Sequence, residues 1–401
     1  MQCHDYDMLI VGGGIVGCAL AVMLAAQKNK KIVILETNPS PPTWSSTPYQ
    51  HRVSALTLST MRILKHVGVW ETIAHHRVSS FAEMVVVDAH HAELHFKAEM
   101  IGEPTLGFIV ENQLLHWALA EKVKAFDNIT WVRPVQLNAV SYGEDKVTLT
   151  TEQGVCFSGK LAIACDGSGS WLRSKAGIAN HQVHYNQSAL VTNIKSSKPH
   201  TAIARQFFLQ NSILAFLPLQ DPYLSSIVWS LPKDDALRLV DCDVSSFKTT
   251  LQAICFEQLG EVEWVAERQI FPLTRARAAS YIRERIALVG DAAHLVHPLA
   301  GQGVNLGLLD AASLAEVLSE TRDHDIGGIR PLRRYERWRK ADNLPMLMMI
   351  DSLEKLYQNQ SSFLQAARVK GLQSVNRWVT LKSFLINYAV GNRRYLPKIG
   401  S

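Results

Sequence analysis

The tightest constraint on this chain is a run of glycines placed where a strand must give way to a helix. Met8 to Val11 reads as a short apolar strand, Gly12-Gly13-Gly14-Ile15-Val16-Gly17 follows, and an apolar helix runs on to about Gln27. The spacing is G-x-G-x-x-G: Gly12 makes the tight turn, Gly14 lets backbone approach a pyrophosphate, and Gly17 allows close helix-to-strand packing. The helix start, with Ile15 and Val16 in its first turn, offers free N–H groups and roughly half a positive charge to phosphates. A second strand from Lys31 to Glu36 completes a βαβ unit. Glu36 stands twenty-four residues after Gly12, where a carboxylate can accept hydrogen bonds from a ribose. The segment predicts an adenine dinucleotide site, with NAD and FAD both open on these residues alone.

Beyond this unit, a Pro- and Ser-rich loop covers Asn38 to Thr47, and Ser54 to His66 has helical spacing. Residues 81 to 97 alternate as strands do, and Glu111 to Phe126 reads as a helix. Strands are expected near Ile129 to Val140 and Lys146 to Thr151, and a buried one at Leu161 to Ala164 ends in Asp166-Gly167. From about 180 to 270 alternating strands dominate, among them Ile203 to Leu209 and Ser225 to Leu231, with one helix near 244 to 259. A strongly apolar strand, Ile286 to Val289, then enters Gly290-Asp291 and a long helix from about Gly303. The pattern predicts an α/β chain in which a discontinuous dinucleotide domain (1–75, 101–178 and 273–340) alternates with a mixed-sheet substrate domain (76–100 and 179–272). A helical, basic region (341–401) ends it.

The chain has 401 residues, 47% of them apolar and 19% charged, enough for two or three packed cores. Six scattered cysteines without a C-x-x-C pair speak against a disulfide framework or a cysteine zinc site. No leader of basic, apolar and small residues opens the chain, and no apolar run reaches the ~18 residues of a membrane span. The expectation is a cytoplasmic protein, soluble or peripheral to the inner face of a membrane. Residues 341 to 401 hold eight Lys/Arg against three Asp/Glu, an excess equal to the formal net charge of +5. Such a tail suits an anionic lipid surface or an acidic partner. No nucleic-acid motif accompanies it, so nucleic acid is not expected. His294 and His297 lack a third ligand, and no metal is expected.

Gly290-Asp291-Ala292-Ala293-His294, followed by His297-Pro298-Leu299-Ala300-Gly301-Gln302-Gly303-Val304-Asn305, resembles the second flavin-binding motif of the para-hydroxybenzoate hydroxylase class of FAD monooxygenases. Cys165-Asp166-Gly167-Ser168-Gly169-Ser170 with Arg173 resembles the internal Asp-Gly motif of the same class, with Cys165 in place of the usual alanine. Arg52 and Asn112 match positions near the flavin, pyrophosphate or ribityl chain, although Gln50 stands where an aspartate is common. The wording is most similar to the ubiquinone-biosynthesis hydroxylases, through Leu217-Pro218-Leu219, Phe271-Pro272-Leu273 and Tyr335-Glu336-Arg337 with Arg339 and Asn343. Asn211 to Leu214 departs from the Gly-Pro pair usual there.

The resemblance implies non-covalent FAD, NADH or NADPH as donor, O2 as co-substrate and hydroxylation of a polyprenyl phenol. Asp291 would bond ribityl hydroxyls. Gly301, Gln302, Gly303, Val304 and Asn305 would face the flavin edge that gathers negative charge on reduction, and Pro298 with His297 would lie beside the edge that meets oxygen. The flavin carries the hard step, and no general base is identified. Partners would be the polyprenyl-phenol substrate and a membrane surface or biosynthetic complex met through the basic tail, with homo-oligomerisation open. Phe207, Phe216, Phe208 and Trp229 either line a ring pocket or form ordinary core. The rival readings are a hydroxylase of a small soluble aromatic acid, a flavin reductase of prenyl double bonds, and a non-catalytic flavin-binding subunit.

Overall fold

Five parallel strands form the backbone of a six-stranded sheet, ordered Ile286–Leu288, Leu161–Ala164, Met8–Val11, Ile32–Leu35 and Ile129–Val132, with Ile282–Arg283 antiparallel at one edge. The computed structural model describes residues 3–26, 30–89, 92–296, 301–321, 325–358, 378–392 and 396–400. The four central strands are apolar throughout and buried on both faces, as expected for a parallel sheet covered by helices. Helix Ile15–Ala25 packs on helix Gln302–Glu320 and on helix Asn112–Val123. Together they close the main core, where each fully buried Leu or Ile contributes about 1.5–3 kcal/mol.

Beside this core lies a three-stranded antiparallel sheet, Val53–Leu56, Gly107–Glu111 and Val78–Phe81. The start of the helical stretch expected from Ser54 is therefore strand, because Ser54 pairs with Val110. The helix begins at Leu58, where the Thr57 hydroxyl accepts from the Thr60 N–H, and ends at Gly68 with φ +75°.

The nine-stranded sheet includes, in spatial order, His294–Leu295, Gln269–Ala278, Asn180–Ser196, Leu224–Pro232, Ile213–Pro218, Ile203–Phe208, Glu83–Asp88 and Glu93–Lys97. One face packs on two helices, Lys233–Asp241 and Val244–Leu259, where one was expected. Phe207, Phe216 and Trp229 belong to that core, whereas Phe208 faces the other way. The opposite face carries, in register, one row of Phe208, Ile213, Ser230, Ala189 and Phe271 and a second of Gln206, Ala215, Val228, Val191 and Gln269. It turns toward the first core: the Asn193 amide donates to the carbonyls of Tyr49 (3.4 Å) and Gln50 (3.3 Å). Helices Ile329–Gln358 and Val379–Ala389 follow, and no helix of the described residues is long and apolar enough to cross a membrane.

Candidate functional site

Because Met8–Val11, Ile32–Leu35, Leu161–Ala164 and Ile286–Leu288 are parallel neighbours, their carboxyl ends leave one edge of the sheet together. That edge delivers Gly12, Glu36, Asp166 and the Gly290-Asp291 turn to one place, although they are far apart in sequence, and it is where open α/β sheets bind ligands.

Gly12 has φ +101°, and a Cβ there would sit 2.4 Å from the Cys165 carbonyl oxygen. A Cβ at Gly17 would fall 2.0 Å from the Gly12 oxygen, so the helix can approach this closely only without one. At Gly14, by contrast, a Cβ meets no protein atom within 4 Å. The open space lies at the start of helix Ile15–Ala25, whose first N–H groups donate to no capping side chain of the N-cap residue Gly14. Glu36 holds the turn by accepting from Gly13 N–H at 2.7 Å while its other oxygen accepts from Asn38 N–H at 2.8 Å. Val16 packs against Gly290 and Gly307, leaving its backbone rather than its side chain for a ligand.

Asp166 accepts from Leu172 N–H through Oδ2 (3.1 Å), but its buried Oδ1 has no partner among the described residues. Burial pushes its carboxyl above the usual range. Gly167 has φ +79°. Arg173 ties this loop to the next, donating to the Ser168 carbonyl (2.7 Å) and the Ala292 carbonyl (2.9 Å).

The Gly290-Asp291-Ala292 turn is a single 3-10 turn with Gly290 at φ +64°. Burial raises the Asp291 carboxyl too, against His294 and Arg52, which favour its charge. Its Oδ1 lies 4.0 Å from where a Gly303 Cβ would be, so the acid and the start of helix Gln302–Glu320 adjoin. Gly301 caps that helix at φ +58°. Gln302 is buried beside it, and Asn305 is more constrained than the motif implies. Its Oδ1 accepts from Thr57 N–H (3.0 Å), and its amide donates to Ala55 (2.9 Å) and Gly301 (3.2 Å) carbonyls. The Asn305 side chain is a backbone clamp that sets the helix start. His297 and Pro298 lie outside the described residues.

Arg52 is exposed, its guanidinium 5.3 Å over the Phe271 ring of the nine-stranded sheet. Asn112 donates its N–H to the Arg52 carbonyl (3.0 Å) and accepts the Ser54 hydroxyl (2.6 Å). These residues fit FAD: a glycine cradle open at Gly14 for the pyrophosphate, Glu36 for a ribose, an unpaired buried Asp166 oxygen, and Asp291 against a helix N-terminus for the ribityl and ring end.

A family model described as the FAD binding domain matches residues 5–341. The chain is 33% identical over 98% of its length to the ubiquinone hydroxylase of Rhodospirillum rubrum, covering 91% of it. It is 33% identical over 98% of its length to the 3-demethoxyubiquinol 3-hydroxylase of Escherichia coli, covering all of it. The human mitochondrial ubiquinone biosynthesis monooxygenase is 32% identical over 96% of this chain and 92% of its own. It belongs to the FAD-binding monooxygenase family that contains the ubiquinone-biosynthesis hydroxylases. The fold is shared with the p-nitrophenol 4-monooxygenase of Pseudomonas putida, with a TM-score of 0.77 at 18% identity over 98% of this chain and all of that one.

Several groups that build this monooxygenase site carry no local sequence signal. Asp310, fully buried, accepts from Gly290 N–H (3.0 Å), His294 Nε2 (2.6 Å), Arg339 Nε (2.6 Å) and Asn343 Nδ2 (3.3 Å). Burial works to raise its carboxyl, yet His294 and Arg339 outweigh that and hold it at about 2. His116 Nε2 donates to the Gly13 carbonyl at 2.7 Å. The Trp131 ring lies against Gly13, with the Arg133 guanidinium 4.4 Å over it and one buried guanidinium nitrogen unpartnered. Buried Glu111 pairs with Arg77 at 2.8 Å and accepts from Gln50 N–H at 2.7 Å, fixing the loop that leads to Arg52. A lone Asp in the apolar stretch Leu306 to Leu314 was the available sign of Asp310.

Proposed function

We propose that this flavin monooxygenase hydroxylates the ring of a polyprenyl phenol or benzoquinol on the way to ubiquinone, between the cofactor loops and the inner face of the nine-stranded sheet. FAD reduced by NAD(P)H supplies the reaction with O2 that delivers one oxygen atom to the ring. The chain's own contribution is position, dryness and charge. Gly12, Gly14, Gly17 and Glu36 would hold the adenosine and pyrophosphate end, with Arg133 beside them, and Asp166, Asp291, Gly301 to Asn305, Arg52 and Asn112 the ribityl and ring end. The helix Gln302–Glu320 would aim its N-terminus at the ring edge that becomes negative on reduction.

The observation that carries the substrate class is the sheet face itself. Neither row, from Phe208 to Phe271 or from Gln206 to Gln269, contributes a charged side chain; Asp88 continues the first row beyond Phe208, and the Arg52 guanidinium over Phe271 is exposed rather than buried among them. A benzoate-type substrate would need a fixed cation there to repay burial of its carboxylate, whereas a neutral phenol does not. The test is turnover of the purified flavoprotein with NAD(P)H and 18O2, offered a short-chain prenyl phenol and, separately, hydroxybenzoates. Incorporation of one labelled atom into the prenyl phenol supports the reading. Preference for the acids overturns it, and bound flavin that yields no product from either, without sustained NAD(P)H consumption, points to a flavin-binding subunit.

A peripheral membrane position goes with this substrate. Leu344, Met348, Trp378 and Phe384 are exposed on the last helices or at their start, Trp378 at 67%. Met346 on the same helix is buried, so that helix also caps the core. Cosedimentation with anionic vesicles that is lost in Trp378→Ser/Phe384→Ser would support the lipid contact. Unchanged sedimentation would leave docking onto partner enzymes of the pathway as the use of this surface.

A further inference from the structure

Two cysteines that the site does not use face each other across neighbouring strands. Cys3–Asp5 pairs in parallel with Cys156–Gly159, and Cys3 stands directly in register with Cys156. Residues opposed in this way project from the same face of a sheet, and neighbouring strands lie about 4.8 Å apart. A disulfide accepts Cα separations of roughly 4.4–6.8 Å, so the backbone already has the spacing a cross-link requires. Cys156 is buried beneath; Cys3 is the one cysteine exposed to solvent. The remaining four are sequestered: Cys18 and Cys255 are buried, Cys165 is packed behind Gly17, and Cys242 accepts from Arg268.

We propose that Cys3 and Cys156 form a reversible, oxidant-driven cross-link that fastens the two segments leading into the cofactor site. The segment of Cys3 runs on into Met8–Val11 and Gly12, and that of Cys156 into Leu161–Ala164 and Asp166. A peroxide is the oxidant the chemistry calls for. The Cys3 thiolate attacks one peroxide oxygen, the O–O bond breaks, and the hydroxide that leaves takes up the proton the thiol had released, so the products are a sulfenic acid and one water. The Cys156 thiol then displaces hydroxide from that sulfur, forming the S–S bond and a second water. Two thiols are oxidised by two electrons and one hydrogen peroxide is reduced to two waters. Burial and the neighbouring Cys156 and Asp5 charges keep the Cys3 thiol above its usual range, so the first step speeds up as pH rises.

The test uses the full-length flavoprotein, reduced, desalted and exposed to equimolar hydrogen peroxide, then blocked with N-ethylmaleimide. The expected product is lighter by two hydrogens, takes up two fewer maleimides, and yields a peptide joining the N-terminal tryptic fragment to residues 147–160. That N-terminal fragment also contains Cys18, so Cys3→Ser and Cys156→Ser must each abolish the joined peptide. The urea midpoint for flavin release should rise on oxidation, return with dithiothreitol, and stay fixed in Cys3→Ser. Survival of the joined peptide in Cys3→Ser would overturn the proposal, as would Cys3 remaining open to maleimide or passing on to sulfinic acid without a cross-link. An oxidised protein whose urea midpoint does not move would overturn the fastening.

Discussion

The two helix starts that face the cofactor space are built in opposite ways. The turn before Ile15–Ala25 takes its shape from its own backbone, with Gly12 at φ +101° and Gly17 pressed to the Gly12 oxygen, and side chains reach it at Gly13, where Glu36 accepts the N–H and His116 donates to the carbonyl. The turn before Gln302–Glu320 is fixed by side chains from elsewhere, with Asn305 clamped to Thr57 and Ala55 and Gly290 held by Asp310, which Arg339 neutralises. The first turn needs its glycines within six positions, and its more distant partners all meet the one residue Gly13. The second depends on partners about 250 residues back and about 30 ahead. Local specification tolerates changes far away; distributed specification does not.

The hardest way to break this contrast is Gly17→Val, which puts side-chain atoms where the Gly12 oxygen already is. Little folded protein and no yellow colour are expected, read by circular dichroism and visible absorbance. Gly14→Val should separate fold from cofactor, since its Cβ meets open space. The melting of flavin-free protein should change by no more than about 0.5 kcal/mol, while flavin titration shows affinity lost; full flavin occupancy would refute the assignment of that turn. On the side-chain-built turn, Arg339→Met strands a buried charge on Asp310 and should cost about 3–5 kcal/mol in chemical denaturation. The double change with Asp310→Asn should recover part of that cost, and no recovery would mean that the ion pair is not the cause.

Acid titration offers a finer reading. The Asp310 carboxyl is held at about 2, below its ordinary 3.8. A depressed acid stabilises the fold above its unfolded value and loses that contribution as pH falls through the folded one. About 2 kcal/mol should therefore disappear between pH 4 and pH 2, and Asp310→Asn should flatten that part of the stability curve. Asp166 and Asp291, raised by burial, act with the opposite sign and favour the fold as they take up protons. An effect of similar size belongs to Asn305→Ala, which leaves Thr57 N–H without its partner at about 1–3 kcal/mol. Flavin release should quicken with no change in reaction product.

This asymmetry also explains what could be read from the residues alone. The glycine turn, Glu36, Asp166 and the Gly290-Asp291 turn were legible because each imposes a rule on its own neighbourhood, and the strands expected at Leu161–Ala164 and near Ile286 stand where they were expected. The strand Val53–Leu56 was hidden inside a helical pattern because its partner, Gly107–Glu111, is more than fifty residues away. The residues alone left Phe207, Phe208, Phe216 and Trp229 together as ring pocket or ordinary core, because strand spacing does not say which face of the sheet meets helices; Phe207, Phe216 and Trp229 are core, and Phe208 faces the other way. Asn305 was read for its motif, and its amide is given over to three backbone groups. Asp310 and His116 act only through tertiary partners.

The sheet edge that gathers Gly12, Glu36, Asp166 and Gly290 draws its strands from the beginning, the middle and the late part of the chain. During synthesis, then, the first glycine loop must wait for nearly three hundred residues before its neighbours exist. Ring closures of that length slow folding. The ribosome would release most of this chain before a flavin could find anything complete to bind, which makes cofactor capture a late and near-simultaneous event rather than a seed around which the protein grows.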